Sequence, residues 1–310
     1  MRIFPFLALS TQLFAVIAGF AQTPCKSTVV GDLRIEHFKS KMYGDSRTVR
    51  IWLPPGYADS ANLNRKYPTL YLLDGQTAFD ECTAFQGEHE LQADETVTRL
   101  IAEHKIPPMI VVGIDSTEHR NYEYSPWKNP ITDAKEPEPI GKQLPAFFGD
   151  ELIPFVSTHY RVTDDAAHTG IGGTSLGAEA ALYVALMRPD LFGLVLAESP
   201  SVLLGNGQLL RDTMMLARAP DRVAIGVGAT ELNFPKIEDY LAPFRLTEKD
   251  SEAAIVKMTE ILASNLRAAY IKKPAVMLVV EPNANHSSAF WAGRLPEAVT
   301  FLYGEPATAH

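Results

Sequence analysis

The stretch Thr169-Gly170-Ile171-Gly172-Gly173-Thr174-Ser175-Leu176-Gly177-Ala178 decides how this chain is read, because a short buried strand runs through Gly-x-Ser-x-Gly into a helix with no room for a loop. Such a corner forces the serine backbone to positive φ. The positions two residues either side must then carry almost no side chain, which Gly173 and Gly177 satisfy. The Ser175 hydroxyl is held out over the sheet edge, and the Leu176 N–H at the helix start points at the same spot, where the helix dipole adds positive potential. Residues 176–187 read as an apolar helix stopped by Pro189. A dinucleotide-binding glycine loop is the rival reading; it fails because Gly170-x-Gly172 puts Ser175 where the third glycine should stand.

Outward from this elbow the chain alternates strands and helices. Residues 33–39 and 47–53 around a Gly44-Asp45 turn predict an antiparallel hairpin, ended by Pro54-Pro55-Gly56. The runs 67–76, closed by a turn, and 109–114 are largely apolar, as strands buried on both faces are. Helices are expected at 94–104, 144–158, 251–269 and 295–303, and further strands at 194–198, 222–227 and 275–281. That alternation predicts an α/β fold with a mostly parallel sheet and helices on both faces. No repeat, low-complexity tract or linker divides the chain, so residues 22–310 read as one domain. Residues 128–143 and 232–250 are long enough to cap a site.

Serine is a poor nucleophile at neutral pH until an imidazole takes its proton and an acid fixes that imidazole's tautomer. Of the eight histidines only His286 and the terminal His310 follow Ser175, and His286 lies directly after the last strong strand. In an open α/β sheet the carboxyl ends of the strands share one crevice, so Ser175 and His286 can meet. Glu231, closing the strand and turn 225–231, is the first choice of acid, with Glu198 and Asp239 as rivals. A second oxyanion donor, beside Leu176 N–H, is expected from the backbone N–H of Gln76 in Asp74-Gly75-Gln76. Glu88-His89-Glu90 is too compact to put metal ligands on one helical face, so neither a metal nor a cofactor is expected.

Arg2, the apolar run 3–20 and the small-residue site near Ala21 predict a secretory signal over residues 1–21, hence a secreted or periplasmic protein with no stable membrane association after cleavage. Cys25 and Cys82 would then be the only cysteines, and they could pair or stay free. A net charge of −9 without a basic run argues against nucleic acid as a partner.

Several stretches together resemble the Putative esterase family of α/β-hydrolases, the group of esterase D, enterochelin-esterase-like and feruloyl-esterase-like proteins. They are residues 47–57, 71–76, 110–115 with Arg120 and 124–126, 151–155 with Tyr160-Arg161, the elbow, and His286 with Trp291. The resemblance implies an α/β-hydrolase fold, Ser175 as nucleophile, His286 as base, Glu231 as acid and a small-molecule ester substrate. Two departures stand out: Ala178 replaces the family's second elbow glycine and is followed by Glu179, and the interval from Glu231 to His286 is long. The expected activity is that of a serine carboxylic-ester hydrolase; acyl transfer at the same site and a non-catalytic binding role are the alternatives. Arg120 and Trp291 are expected near the mouth of the site, where they suit an aromatic or anionic acyl group.

Overall fold

The computed structural model describes residues 25–85, 89–128, 137–232 and 247–305. The strands in chain order are β1 (Asp32–Lys39), β2 (Ser46–Leu53), β3 (Thr69–Leu73), β4 (Ile110–Ile114), β5 (Thr169–Thr174), β6 (Leu194–Glu198), β7 (Arg222–Gly228) and β8 (Ala275–Glu281). In space they lie in the order β1-β2-β4-β3-β5-β6-β7-β8 within one sheet. β1 pairs antiparallel with β2, and β2 antiparallel with β4; every later pairing is parallel. The α/β-hydrolase architecture expected from the sequence is the one observed.

Alternation along each strand splits the interior into two cores. Ile51, Tyr71, Val112, Val195 and Ile225 face one side; their neighbours Trp52, Leu72, Val111, Leu196 and Ala224 face the other. The first core is closed by α2 (Arg120–Tyr124), α3 (Leu144–Ala146), α4 (Ile153–His159), α5 (Leu176–Met187), α6 (Leu204–Thr213) and α7 (Glu248–Arg267). The second is closed by α1 (Ala93–Ala102) and α8 (Ser288–Tyr303). Burying a large aliphatic side chain here contributes roughly 2 kcal/mol each.

Three differences from the sequence reading stand out. The run 67–76 forms a strand only over Thr69–Leu73, because Asp74 turns left-handed at φ 60° and ends the ladder. The helix read at 144–158 carries a π-helical turn, Phe147–Leu152, between α3 and α4. The last helix begins at Ser288, two residues after His286, and continues through Pro296, although Gly293 and Pro296 look like breakers in sequence.

Cys25 and Cys82, left open by the sequence, are joined by a disulfide that ties the N-terminal segment to the loop after β3. The expected signal at 1–21, the rival acid Asp239, His310, half of the cap candidate 128–143 and most of the cap candidate 232–250 fall outside the described residues. No helix among the described residues is long and apolar enough to cross a membrane.

Candidate active site

Ser175 sits between β5 and α5 with φ 56° and ψ −123°, a conformation that non-glycine residues rarely adopt. The surroundings hold it there. Its N–H donates to the Glu198 carbonyl at 2.8 Å, and its carbonyl accepts from the N–H groups of Ala178, Glu179 and Ser201. A Cβ on Gly173 would lie 2.7 Å from the Gly177 backbone, so the corner closes only with glycine at that position.

His286 arrives from the loop between β8 and α8. Its Nδ1 donates to Glu231 Oε2 at 2.5 Å, which leaves Nε2 of the neutral ring as a bare acceptor. Glu231 is 3 % exposed, and its other oxygen accepts from Gly228 N–H at 2.5 Å and from Ser199 Oγ at 2.7 Å. Burial pulls this carboxyl upward, but the His286 bond and the Ser199 and Gly228 donors outweigh it and hold the group below its usual range. Glu231 is therefore a carboxylate at neutral pH, fitted to fix and charge-balance the imidazole.

The rival Glu198 ends the neighbouring strand and has a different partner. Its Oε2 accepts from Arg294 Nε at 2.8 Å, while Arg294 Nη1 also donates to Glu281 at 2.8 Å. Burial pushes Glu198 up to about 7 in spite of that guanidinium. It takes no part in the histidine's hydrogen bonding.

On the other side of the elbow, Asp74-Gly75-Gln76 packs against β4, where a Cβ on Gly75 would run into the Gly113 backbone. The Gln76 side chain is tied to Ser116 by two bonds, 2.6 Å from Nε2 to Oγ and 3.0 Å from Ser116 N–H to Oε1. The Gln76 and Leu176 backbone N–H groups have no hydrogen-bond acceptor among the described residues. A cavity of about 10 Å³ lined by Asp74, Thr77, Gly173, Thr174 and Trp291 shows that this turn, the elbow and the start of α8 converge.

Of the two side chains expected at the mouth, Trp291 lies elsewhere and Arg120 lines the cleft. Trp291 is 6 % exposed; it meets the His286 ring edge-on at a centroid distance of 5.0 Å, and its Nε1 donates to Ser199 Oγ at 2.9 Å. It lies behind the histidine because its indole N–H needs a buried acceptor, and Ser199 supplies one. Arg120 does line the open cleft, but its Nε and Nη2 are held by Asp74 at 2.7 Å each, so much of its donor capacity serves the β3 turn. Ser199 itself, at φ 46°, escaped the sequence reading: nothing in its local pattern marks a serine that relays Trp291 to Glu231.

The cleft above Ser175 has a volume of about 480 Å³ and is walled by Arg120, Tyr122, Trp127, Leu176 and Leu204, a mixture of aromatic, aliphatic and cationic groups. A family model described as Putative esterase matches residues 40–302. The chain belongs to that esterase family.

Among curated relatives of this esterase-family chain is an endo-1,4-beta-xylanase/feruloyl esterase of Xylanibacter ruminicola, 28 % identical over 53 % of this chain and 21 % of the relative. Another is an iron(III) salmochelin esterase of Escherichia coli O6:H1, 28 % identical over 51 % of this chain and 33 % of the relative. The chain thus spans a third or less of the length of these two relatives. Among solved structures, siderophore hydrolase EstA of Aspergillus nidulans aligns with a TM-score of 0.67 at 19 % identity, covering 91 % of this chain and 98 % of that one. At that identity the likeness speaks for the shared fold.

Proposed function

We propose that this protein is a secreted or periplasmic serine carboxylic-ester hydrolase, built as a single domain over residues 22–310 after a signal at 1–21. The observation that carries the reading is the Glu231–His286 hydrogen bond at the same sheet edge as a serine on a strained elbow. His286 Nε2 takes the Ser175 proton as Oγ attacks the ester carbonyl. The oxyanion is received by the N–H groups of Gln76 and Leu176, each worth about 3 kcal/mol of barrier at such sites. The imidazolium, balanced by Glu231, returns its proton to the leaving alkoxide, and water repeats the cycle on the acyl-enzyme. This chemistry needs no cofactor.

The cleft favours an acyl group with an aromatic face, because Trp127 and Tyr122 offer flat apolar surface beside Ser175. The name of one relative, a feruloyl esterase, agrees with that choice, since a feruloyl group is an aromatic acyl group. A panel of p-nitrophenyl acyl esters, methyl ferulate and a catecholate trilactone tests it. Wild type is expected to turn over the aromatic esters fastest, with Ser175→Ala inactive and unlabelled by a fluorophosphonate. Unlabelled wild type, or activity surviving in Ser175→Ala, refutes the reading.

A further inference from the structure

Away from the elbow, at the start of α1, three carboxyl groups crowd together with no base to answer them. Glu90 is 4 % exposed and Asp94 0 %, while Glu95 is half-buried. One oxygen from each lies within 4.8 Å of the other two. Glu90 Oε2, Asp94 Oδ1 and Glu95 Oε2 are all buried without a hydrogen-bond donor among the described residues. No Lys or Arg among those residues pairs with any of the three, and the nearby His89 is taken by Glu81 at 2.8 Å.

Solvent exposure does not explain such an arrangement. A buried carboxylate oxygen without a donor costs a large part of its hydration, and three like charges in one pocket add repulsion. Burial and the Glu95 carboxyl push Asp94 up to about 8, and burial with the neighbouring acids raises Glu90. A divalent cation removes both penalties together. Calcium takes oxygen ligands at about 2.3–2.6 Å, so two of its ligands lie at most roughly 5 Å apart, which is the spread of this cluster.

We propose that Glu90, Asp94 and Glu95 bind a hard divalent cation of calcium's size, completed by backbone carbonyls or water. The cation would act as a structural clamp. The other Asp94 oxygen accepts the Val30 N–H at 2.6 Å, and Asp80, whose charge acts on Glu90, accepts from Ser27 Oγ at 2.8 Å and from Thr28 N–H at 3.2 Å. The cluster therefore sits where α1, the loop before it and the disulfide-anchored N-terminal segment meet. The proposal stands independently of the reaction at Ser175.

The experiment is thermal unfolding of the full chain, stripped with a chelator at pH 7.5, with CaCl2 titrated against KCl of matched ionic strength. Calcium at 100-fold its dissociation constant is expected to raise Tm by roughly 5 °C. Asp94→Asn and Glu90→Gln, each nearly isosteric, are expected to melt no lower than wild type without metal and to lose the calcium response. Wild type that ignores calcium while Asp94→Asn is stabilised shows instead that the carboxyls share protons, and overturns the proposal. An equal calcium shift in wild type and both variants also overturns it.

Discussion

Glu231 and Glu198 stand one strand apart, yet only the first touches His286. Replacing Glu231 by Gln keeps the shape but offers the ring an amide in place of a charge, so kcat on an activated ester should fall by about 10³–10⁴. Glu198→Gln should leave kcat within about threefold while costing roughly 2 kcal/mol of stability, because Arg294 loses part of its buried compensation. Steady-state kinetics and urea unfolding on the same two variants separate these roles. Glu179 makes a different prediction. It lies in the first turn of α5 with 0 % exposure and no donor on either oxygen among the described residues, and burial pushes it up to about 8 from 4.5. The folded state thus holds a proton that the unfolded chain releases near pH 4.5. The stability from that proton is complete below that pH and is lost as pH rises to about 8. Glu179→Gln should flatten this decline by on the order of 3 kcal/mol between pH 5 and 8, read as the difference in urea midpoints from wild type.

The turn after β3 and the elbow after β5 are separate elements clamped into one geometry by Arg120, whose pairing with Asp74 lies against the start of α5. Arg120→Ala leaves Asp74, 4 % exposed, without its counter-charge. A loss of about 3 kcal/mol is expected, with kcat falling more than KM rises because the Gln76 N–H drifts from the oxyanion. A proportional rise in KM at unchanged kcat would instead make Arg120 a substrate contact. These clamps explain what the sequence could and could not reveal. The elbow was legible because Gly173, Ser175 and Gly177 encode it within five residues, and His286 because few histidines follow Ser175. The two-face packing followed from the strand pattern. The acid stayed ambiguous since Glu198 and Glu231 both close apolar strands, and what separates them, the His286 bond to Glu231 and the Arg294 bond to Glu198, spans 55 and 96 residues. The places of Trp291 behind His286 and of the Arg120 guanidinium on Asp74 were not legible, because their partners Ser199 and Asp74 are 92 and 46 residues distant.

At the scale of the whole molecule, the Cys25–Cys82 bond closes a loop across a separation of 57 residues. Chain-entropy arguments give such a closure about 4 kcal/mol. Cys25→Ser with Cys82→Ser, or wild type under dithiothreitol, should lose up to that amount of unfolding free energy, read as a lower urea midpoint. An unchanged midpoint would mean that the N-terminal segment contributes little to the folded state. The sheet order has its own consequence for biosynthesis. Ser175 follows β5 near the middle of the sheet, whereas His286 follows β8, an edge strand that among the described residues pairs only with β7. On the proposed mechanism a ribosome delivers the alcohol long before the imidazole, so the nascent polypeptide would carry an unarmed serine until its final strand has emerged and docked.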